Sequence, residues 1–331
     1  MKVLVTGSAG FIGMHVSKAL CKKGYEVIGL DNLNSYYDVE LKYARLTELG
    51  IDRREIMDNV KIAGKNGFSF YKLDLNNASS IYELFGNEKF DQIIHLAAQA
   101  GVRYSVTNPR EYINSNMVGF FNILEGVRHH QVRRLLYASS SSVYGLNSKV
   151  PFSIEDKTDS PASLYAATKK SNELMAHAYS HLFGMPTMGV RFFTVYGPWG
   201  RPDMALFKFT RNIIEGRPIE IYNNGEMLRD FTYVDDVVGG LVQMVEQSWP
   251  ETYNLQNIGR SEPVNLMDFV GEIEKCTGIS AKKEMKPLQQ GDVTSTYADV
   301  TGLKEQFNYS PKVSIEEGVG QFVSWYRNYY K

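Results

Sequence analysis

The stretch VLVTGSAGFIG, residues 3 to 13, decides the fold expected of this chain. Its apolar start is typical of a buried strand, and helical periodicity runs from its end to Gly24. Gly7, Gly10 and Gly13 have the spacing G-x-x-G-x-x-G between the two. Glycines there allow a tight turn and a close approach of the backbone to a pyrophosphate at the start of the helix. The stretch therefore predicts a nucleotide-binding strand–loop–helix unit.

Strands and helices continue to alternate through the first half of the chain. Helical stretches separate four further strand-like runs, at residues 26–31, 68–74, 91–97 and 132–139. Residues 36–66 are polar and charged, and they are predicted as a helix with an excursion between strands. This series of βαβ units predicts an α/β fold with a Rossmann-type doubly wound parallel sheet.

The second half is less regular and predicts a smaller mixed α/β lobe at the C-terminal side. Residues 185–197 are predicted as one strand, and TYVDDVV at residues 232–238 as the start of a helix that returns to the main sheet. We therefore expect residues 1–186 to form mainly a nucleotide-binding Rossmann domain, to which residues 230–256 return. Residues 187–331 are expected to form mainly a substrate-binding lobe.

The composition is that of an ordinary globular protein. The 331 residues are 43% hydrophobic, and the formal net charge is −1 at pH 7. This charge gives no bulk attraction to nucleic acid or to an acidic membrane, and no apolar run approaches the roughly 20 residues of a membrane span. Two cysteines cannot build a disulfide framework, and no signal peptide is predicted. We expect a cytoplasmic protein with no membrane or nucleic-acid partner.

Asp31 ends the second strand and strengthens the nucleotide assignment. A carboxylate at this place can bind the ribose hydroxyls of an adenosine. It would repel a 2′-phosphate, and Asn32, Leu33 and Asn34 offer no Arg or Lys to attract one. NAD is therefore favoured over NADP as the cofactor. Asp74, which ends the third strand, is a candidate contact for the adenine amino group.

Tyr165 and Lys169 are four residues apart in a helical stretch, so their side chains share a face. The pKa of an unperturbed phenol is about 10, and a nearby ammonium favours the phenolate. Such a Tyr can take the proton of a sugar hydroxyl while a hydride leaves the same carbon for NAD. Four serines at residues 139–142 end a strand at the carboxyl edge of the sheet, where a hydroxyl can hydrogen-bond the reacting oxygen.

In this order, the motifs resemble those of the extended short-chain dehydrogenase/reductase family over nearly the full chain. The matching positions are Gly7, Gly10, Gly13, Asp31, Asp74, His95–Ala98, Asn116, Gly119, Ser139–Gly145, Tyr165 and Lys169. The resemblance implies a Rossmann domain that binds NAD and a smaller domain that binds a nucleotide sugar. It also implies Tyr165 as the base, Lys169 as the contact of the nicotinamide ribose, and Ser140 as the hydroxyl partner of the substrate.

The residues expected to bind NAD follow from the loop, the strand ends and this resemblance. They are Gly7, Gly10, Phe11, Ile12, Gly13, Asp31, Asn32, Asp74, Leu75, Leu96, Ala97, Ala98, Asn116, Tyr165 and Lys169. No metal site is predicted, because no third ligand accompanies His177 and His181 on their helix.

The positions after Ser140 distinguish the reactions of the family. Dehydratases that resemble this chain carry an Asp-Glu pair there, and UDP-glucuronate decarboxylases usually carry a Glu. Here the residues are Ser141 and Ser142, which cannot serve as carboxylate acids or bases. The simplest remaining reaction is 4-epimerisation, in which C4 of the sugar is oxidised, the 4-ketone rotates, and the hydride returns to its other face.

The later lobe resembles that of UDP-glucuronate 4-epimerases, most of all in RFFTVYGPWGRPDMALFKF at residues 191–209. Thr194 stands where UDP-galactose 4-epimerases usually have Asn. Those enzymes commonly have an Arg before the Gly-Asp that is Gly291-Asp292 here, and this chain has Gln289-Gln290 instead. The resemblance therefore favours UDP-glucuronate and UDP-galacturonate over plain UDP-hexoses.

The expected substrate contacts come partly from the resemblance and partly from charge. The resemblance implies that Arg229 holds the UDP diphosphate and that Tyr222 stacks on uracil. The sugar carboxylate needs donors, which hydroxyls and the charge of Arg201 can supply. The residues expected at the substrate are Ser141, Ser142, Thr194, Arg201, Arg103, Ala205, Tyr222, Arg229 and Asp292.

Three alternative functions remain open at this point, and the resemblance also implies an oligomeric state. Thr296 is small and leaves room at C2, as a UDP-glucose or UDP-N-acetylglucosamine 4-epimerase would need. A UDP-glucuronate decarboxylase would need an unusual serine site, and a non-catalytic NAD-binding regulator would be expected to lose Tyr165 or Lys169. The helices predicted at residues 110–130 and 164–183 have apolar faces, and the resemblance implies a homodimer through an intersubunit four-helix bundle.

Overall fold

The computed structural model describes residues 1–288 and 294–331. The chain divides into two compact units. The first consists of Met1–Asn147, Lys157–Arg191 and Leu241–Gln256, and the second of Ser148–Asp156, Phe192–Gly240 and Asn257–Lys331. No helix of the described ranges is long and apolar enough to cross a membrane.

The strands and helices alternate along the first part of the chain, as the sequence predicts. The strands are β1 (Lys2–Thr6), β2 (Glu26–Asp31), β3 (Lys61–Ala63), β4 (Phe68–Lys72), β5 (Gln92–His95), β6 (Arg134–Ser140), β7 (Thr187–Phe192), β8 (Thr194–Tyr196), β9 (Ile219–Tyr222), β10 (Leu228–Tyr233), β11 (Tyr253–Ile258), β12 (Pro263–Asn265), β13 (Lys283–Lys286) and β14 (Ser295–Thr296). The α-helices are α1 (Phe11–Lys22), α2 (Val39–Glu48), α3 (Ala78–Glu88), α4 (Tyr104–Thr107), α5 (Pro109–Tyr112), α6 (Gly119–His129), α7 (Leu164–Phe183), α8 (Ala205–Ile214), α9 (Val234–Glu246), α10 (Leu266–Thr277), α11 (Thr301–Phe307) and α12 (Ile315–Tyr329).

An eight-stranded sheet has the order β11-β7-β6-β5-β1-β2-β4-β3. The pairs β4–β2, β2–β1, β1–β5 and β5–β6 are parallel, and the edge strand β3 pairs antiparallel with β4. From β1 the chain first adds β2 on one side and later adds β5 on the other side, so the order in which strands are added reverses beside β1. This is the topological switch point at which doubly wound sheets bind ligands. The predicted α/β class with a doubly wound parallel sheet is confirmed.

Apolar strands and helix faces pack together in the first unit. Leu4, Ile28 and Ile93 on the central strands are buried in one cluster with Phe85 of α3 and Phe120 of α6. Central parallel strands are covered on both faces, which explains their nearly continuous apolar sequence.

The second unit contains two small sheets. In the first, β10 lies between β12 and β14 and also pairs with β8, and in the second β9 and β13 form a parallel pair. The rings of Phe231 and Phe269 stack with centroids 4.0 Å apart, and they join the β10 sheet to α10. Arg229 lies on β10 of this sheet, and Thr194 lies on the paired strand β8.

Several boundaries predicted from the sequence are wrong. Residues 185–197 form two strands, because Phe193 leaves β7 and Thr194 then pairs with Phe231 of β10. Thr232 and Tyr233 belong to β10 rather than to the helix that follows. The polar excursion contains the short strand β3, and the helix predicted at 110–130 is interrupted by a π-helical turn at Ile113–Val118. The break between β7 and β8 depends on β10, which is distant in sequence, whereas β3 pairs with the adjacent strand β4.

Candidate active site

Most of the predicted cofactor and catalytic residues lie at one edge of the large sheet. Gly7 follows β1, Asp31 ends β2, Leu96–Ala98 follow β5, and Ser140 ends β6. These four strands are parallel neighbours, so their carboxyl ends meet at the same edge. Gly7 and Ser140 are more than a hundred positions apart in the sequence, and the sheet topology brings them to the same edge.

The glycine loop is packed so closely that its glycine positions have no room for a side chain. Gly7 has a φ of +73°, and a Cβ there would lie 2.8 Å from the backbone nitrogen of Ala97. A Cβ on Gly13 would lie 2.1 Å from the carbonyl oxygen of Gly7. The Gly10 N–H donates to the same carbonyl at 2.9 Å. The loop is therefore a backbone cradle, and the tight contact at Gly13 lets α1 start directly against it.

The first turn of α1 suits an anion. Gly10 is the N-cap, no side chain caps the helix, and no acidic residue lies in the first turn. Phe11 is buried at its start. The N–H groups and the positive end of the helix dipole favour a phosphate group there. The cradle and this uncapped turn fit the pyrophosphate of a dinucleotide.

Asp31 is buried and has a cationic neighbour that the sequence argument missed. Its Oδ1 accepts from the Leu33 N–H at 2.8 Å and lies 3.5 Å from Nζ of Lys42 on α2. Lys42 also donates to Asn34 Oδ1 at 3.0 Å. Residues 32–34 contain no Arg or Lys, as the sequence argument noted, but Lys42 of α2 lies beside Asp31 in space. The pair carries no net charge, and the second carboxylate oxygen has no hydrogen bond among those described.

Asp74 and Asn32, two residues expected to bind NAD, contact each other. Asn32 donates from Nδ2 to Asp74 Oδ2 at 2.9 Å, and Asp74 Oδ1 accepts from the Asn76 N–H at 2.8 Å. Asp74 is exposed, whereas the next residue, Leu75, is buried. An exposed carboxylate over a buried apolar side chain suits the edge and face of an adenine ring.

Asn116 holds the loop after β5 in place. Its Oδ1 accepts from the Gln99 N–H at 2.8 Å, and its Nδ2 donates to the Gln99 carbonyl at 3.0 Å and to Thr168 Oγ1 at 3.1 Å. The amide is therefore engaged within the protein. Asn116 thereby joins the loop after β5 to Thr168 of α7, and its expected contact with NAD stays a prediction.

Helix α7 carries Tyr165 and Lys169, as predicted. Ser163 caps the helix by accepting from the Ala166 N–H at 3.1 Å. The Tyr165 ring is half-buried and lies edge-on to Tyr112 with centroids 6.0 Å apart. Lys169 is buried, and its Nζ donates to the Ala138 carbonyl at 2.8 Å. Burial lowers the pKa of Lys169 to about 8.

The serine turn, residues 139–144, continues from β6. Ser140 is in an extended conformation and buried, and its Oγ accepts from the Ser142 N–H at 3.2 Å. The Ser140 and Ser142 hydroxyls are also 3.2 Å apart. Ser141 and Ser142 are half-buried. The turn presents hydroxyls and contains no carboxylate.

The predicted substrate residues of the second unit fall into two groups. Thr194, Arg201 and Ala205 line one small pocket. Arg201 forms a fork with Asp203, donating from Nε to Oδ1 at 3.0 Å and from Nη2 to Oδ2. Much of the charge of Arg201 is therefore already balanced by Asp203.

The second group includes Arg229 on β10 and Tyr222 at the end of β9. Arg229 is half-buried and donates to the Leu228 carbonyl at 2.9 Å, and Tyr222 donates to Glu220 Oε2 at 2.7 Å. Asp230, next to Arg229, is fully buried and accepts from backbone N–H groups at positions 260, 261 and 298. Asp292 and Gln289–Gly291 lie outside the described residues.

Other residues that were considered have different surroundings. Arg103, in the first unit, is exposed at the start of α4. His177 packs edge-on against Tyr253 with ring centroids 4.9 Å apart. Over residues 1–288 and 294–331 there is no group of three His, Cys, Asp or Glu suited to a metal ion.

Sequence analysis missed two basic residues of α2, Lys42 and Arg45. Arg45 is fully buried and donates from Nη1 to the Ala9 carbonyl of the glycine loop at 3.0 Å. Arg45 also donates to the Tyr37 hydroxyl at 2.6 Å. The available signal was that both cations fall on the same side of a helix as apolar Leu41 and Leu46, which indicates that this side is buried.

Comparisons with known proteins agree with this geometry. Residues 3–256 match the model of the NAD dependent epimerase/dehydratase family. Protein CapI of Staphylococcus aureus is 51% identical, with all of both chains covered. UDP-glucuronate 4-epimerase 1 of Arabidopsis thaliana is 44% identical over all of this chain and 77% of the relative. The crystal structure of UDP-glucuronic acid 4-epimerase from Bacillus cereus, in complex with UDP-glucuronic acid and NAD, is 33% identical with a TM-score of 0.89 and full coverage of both chains.

Proposed function

The chain belongs to the NAD-dependent epimerase/dehydratase family, and from this premise we propose that it is an NAD-dependent UDP-glucuronate 4-epimerase. It interconverts UDP-glucuronate and UDP-galacturonate through a transient 4-keto sugar. The observation that carries the proposal is the serine turn, which lies at the end of β6 with hydroxyls where dehydratases and decarboxylases have carboxylates. Full-length similarity to UDP-glucuronate 4-epimerases supports the choice of substrate.

When bound, NAD supplies a reversible acceptor for the hydride of sugar C4. The glycine cradle and the first turn of α1 would hold its pyrophosphate, and Asp31 its adenosine ribose. Tyr165 takes the proton of the C4 hydroxyl and later returns it. Lys169 binds the nicotinamide ribose, and its ammonium favours the Tyr165 phenolate. Ser140 donates a hydrogen bond to the C4 oxygen.

The uronate carboxylate must be held differently from a plain hydroxymethyl group. Ser141 and Ser142 supply neutral donors for it. Neutral hydroxyls can rotate with the sugar as the 4-ketone turns, whereas one fixed bidentate Arg would oppose that rotation. Arg229 and Tyr222 bind the diphosphate and the uracil.

We also propose a homodimer that resides in the cytoplasm. Helices α6 and α7 leave large apolar side chains exposed, among them Val118 before α6, Phe121, Leu174, Leu182 and Phe183. Tyr179 of α7 donates to Glu125 of α6 at 2.7 Å, which joins the two helices into one surface. A second copy of this surface would bury it in a four-helix bundle. Both cysteines are free, as is usual in a reducing compartment.

Product analysis by NMR tests the proposal. Purified enzyme with NAD is incubated separately with UDP-glucuronate, UDP-glucose and UDP-N-acetylglucosamine. We expect UDP-galacturonate from UDP-glucuronate, little pentose product, and much slower conversion of the other two. Carbon dioxide release as the main reaction, or preferred turnover of a neutral sugar, would contradict the proposal.

Tyr165→Phe serves as the matched control for this assay. The variant keeps the ring and its contact with Tyr112 but removes the ionisable oxygen. We expect turnover to fall by about 10²–10⁴-fold, the usual contribution of a general acid–base group, while UDP-sugar binding persists. Turnover near that of the wild type would show that the proton leaves by another route.

A further inference from the structure

A buried ion pair adjoins the serine turn, and none of the proposed catalytic roles uses it. Glu173 of α7 and Arg191 of β7 each have a side chain that is 1% exposed. Arg191 donates from Nε to Glu173 Oε1 at 2.8 Å and from Nη2 to Oε2 at 2.9 Å. This is the bidentate arrangement of the stronger ion pairs.

Each member of the pair also holds one end of the serine turn. Ser139 donates to Glu173 Oε1 at 2.7 Å, and Arg191 donates from Nη1 to the Tyr144 hydroxyl at 3.0 Å. The guanidinium carbon of Arg191 lies 4.9 Å from the centre of the Tyr144 ring. Ser139 directly precedes Ser140, and Tyr144 ends the turn. The pair therefore binds both sides of the segment that carries the Ser140 hydroxyl.

Glu173 is in register with the catalytic residues of its own helix. Tyr165, Lys169 and Glu173 are spaced by four, so they share one face of α7. Lys169 donates to the Ala138 carbonyl, and Glu173 accepts from Ser139, the next residue of β6. Side chains on consecutive turns of α7 thus hydrogen-bond to consecutive residues at the end of β6.

We infer that Glu173 and Arg191 are positioning residues that clamp the serine turn to α7 and thereby fix Ser140 relative to Tyr165. The inference rests on the proposed function, in which these two side chains act on one sugar oxygen. Two groups that share a reacting atom need a fixed separation, and a displacement of about 1 Å can lower a rate about 10²-fold. Neither member of the pair needs to touch the substrate.

The electrostatics of the pair suit a permanent clamp. Burial alone would disfavour the ionised form of Glu173, but hydrogen bonds and charge from Arg191 outweigh it, and the pKa of Glu173 is lowered. Lys170 adds a further cation 3.3 Å from Oε2. Glu173 is therefore ionised at neutral pH, and the clamp does not open by protonation there.

Hydrogen exchange tests the clamp without any substrate. The variants are Glu173→Gln, which breaks the ion pair, and the double variant Ser139→Ala/Tyr144→Phe, which keeps the pair and removes both tethers. We expect faster exchange of the Ser142 and Gly145 amides in both variants. The matched control is Glu88→Gln, which removes another buried carboxylate held by Lys2 and Lys61 at the opposite end of the strands. Its exchange in the serine turn should equal that of the wild type, and unchanged exchange in the first two variants would overturn the inference.

Kinetics in the presence and absence of Ser140→Ala test the consequence. We expect Glu173→Gln to lower kcat by up to about 10²-fold, with a smaller change in the KM for UDP-glucuronate. In the Ser140→Ala background the same change should add no further loss, because the clamp acts through Ser140. A fully additive loss would mean a general structural role and would overturn the inference. If Glu173→Gln does not fold, the same kinetic comparison is made with Ser139→Ala/Tyr144→Phe, and a fully additive loss would again overturn the inference.

The two proposals can fail separately. A wild-type enzyme that leaves UDP-glucuronate unchanged and converts another UDP-sugar would refute the proposed function. The exchange experiment would still decide the clamp, and the kinetic cycle would be run on the sugar that is converted.

Discussion

Among single residues, Lys169 is expected to lower the stability of the folded protein while it serves the proposed reaction. It is buried, and burial lowers the pKa from 10.5 to about 8. Its one hydrogen-bond partner among those described is the neutral carbonyl of Ala138. An ammonium in this position is unfavourable for folding of the unliganded protein, but it is what the proposed mechanism needs beside Tyr165.

Lys169→Met should therefore stabilise the unliganded protein while abolishing turnover. Below about pH 8 the lysine is protonated in both the folded and unfolded states, so the folded chain bears the full cost of the buried charge. As pH rises towards 10.5 the folded state releases its proton first, and the cost disappears. We expect the variant to be more stable by on the order of 1 to 3 kcal/mol at neutral pH. The measurement is urea denaturation at two pH values, and a variant less stable than the wild type would contradict it.

The residues of the candidate site show what sequence can and cannot predict. The glycine loop, Asp31, Ser140, Tyr165 and Lys169 were predictable because local motifs place each at a strand end or on one helix face. Lys42 was not predictable as a neighbour of Asp31, because the contact requires α2 to fold back onto the loop. The surroundings of Arg201 were likewise hidden, although Asp203 is only two residues away.

At the scale of elements, regular periodicity predicted the long helices and central strands well, but it did not predict the short strands. Strand β2 and helix α7 have the predicted bounds, because each combines a strong apolar pattern with clear end signals. The strand break at Phe193 was missed because Thr194 pairs with Phe231, which is distant in sequence. The short strand β3 was missed although it pairs with the adjacent β4, because only Ile62 of its three residues is buried and the apolar pattern is weak. The π-helical turn at Ile113–Val118 has no local sequence signal that we recognise.

The serine turn leads to a prediction about product choice. Once C4 is a ketone, the C6 carboxylate is β to it and can leave as carbon dioxide when its bond is perpendicular to the ketone plane. Hydroxyls from Ser141 and Ser142 would hold the carboxylate away from that geometry. The double variant Ser141→Ala/Ser142→Ala should therefore raise the ratio of UDP-4-keto-pentose to UDP-galacturonate. NMR of the products measures the ratio, and lower activity at an unchanged ratio would refute the carboxylate-holding role.

For the whole molecule, the exposed surface of α6 and α7 is the feature that the single chain leaves unexplained. Leu174 and Leu182 are 59% and 66% exposed, and they lie eight residues apart on one side of α7. Phe121 of α6 is also exposed. Contiguous apolar side chains of this size mark interaction surfaces rather than ordinary solvent-exposed positions. Because α7 also carries Tyr165 and Lys169, a dimer formed here would pack a second copy against the exposed side of α7, while β6 contacts its buried side.

Leu174→Glu tests the dimer. A two-fold interface places the new carboxylate of each copy in the same buried patch, so two charges are desolvated without partners. We expect a cost of about 2 kcal/mol or more, as for a central interface residue, which is roughly a 30-fold rise in the Kd of the dimer. Light scattering over a dilution series measures this. Met285→Glu on β13, which replaces an exposed apolar side chain of the second unit, should leave the mass unchanged at every concentration. A wild-type chain that is monomeric throughout the series, or a Leu174→Glu variant that dimerises as well as the wild type, would contradict the four-helix interface.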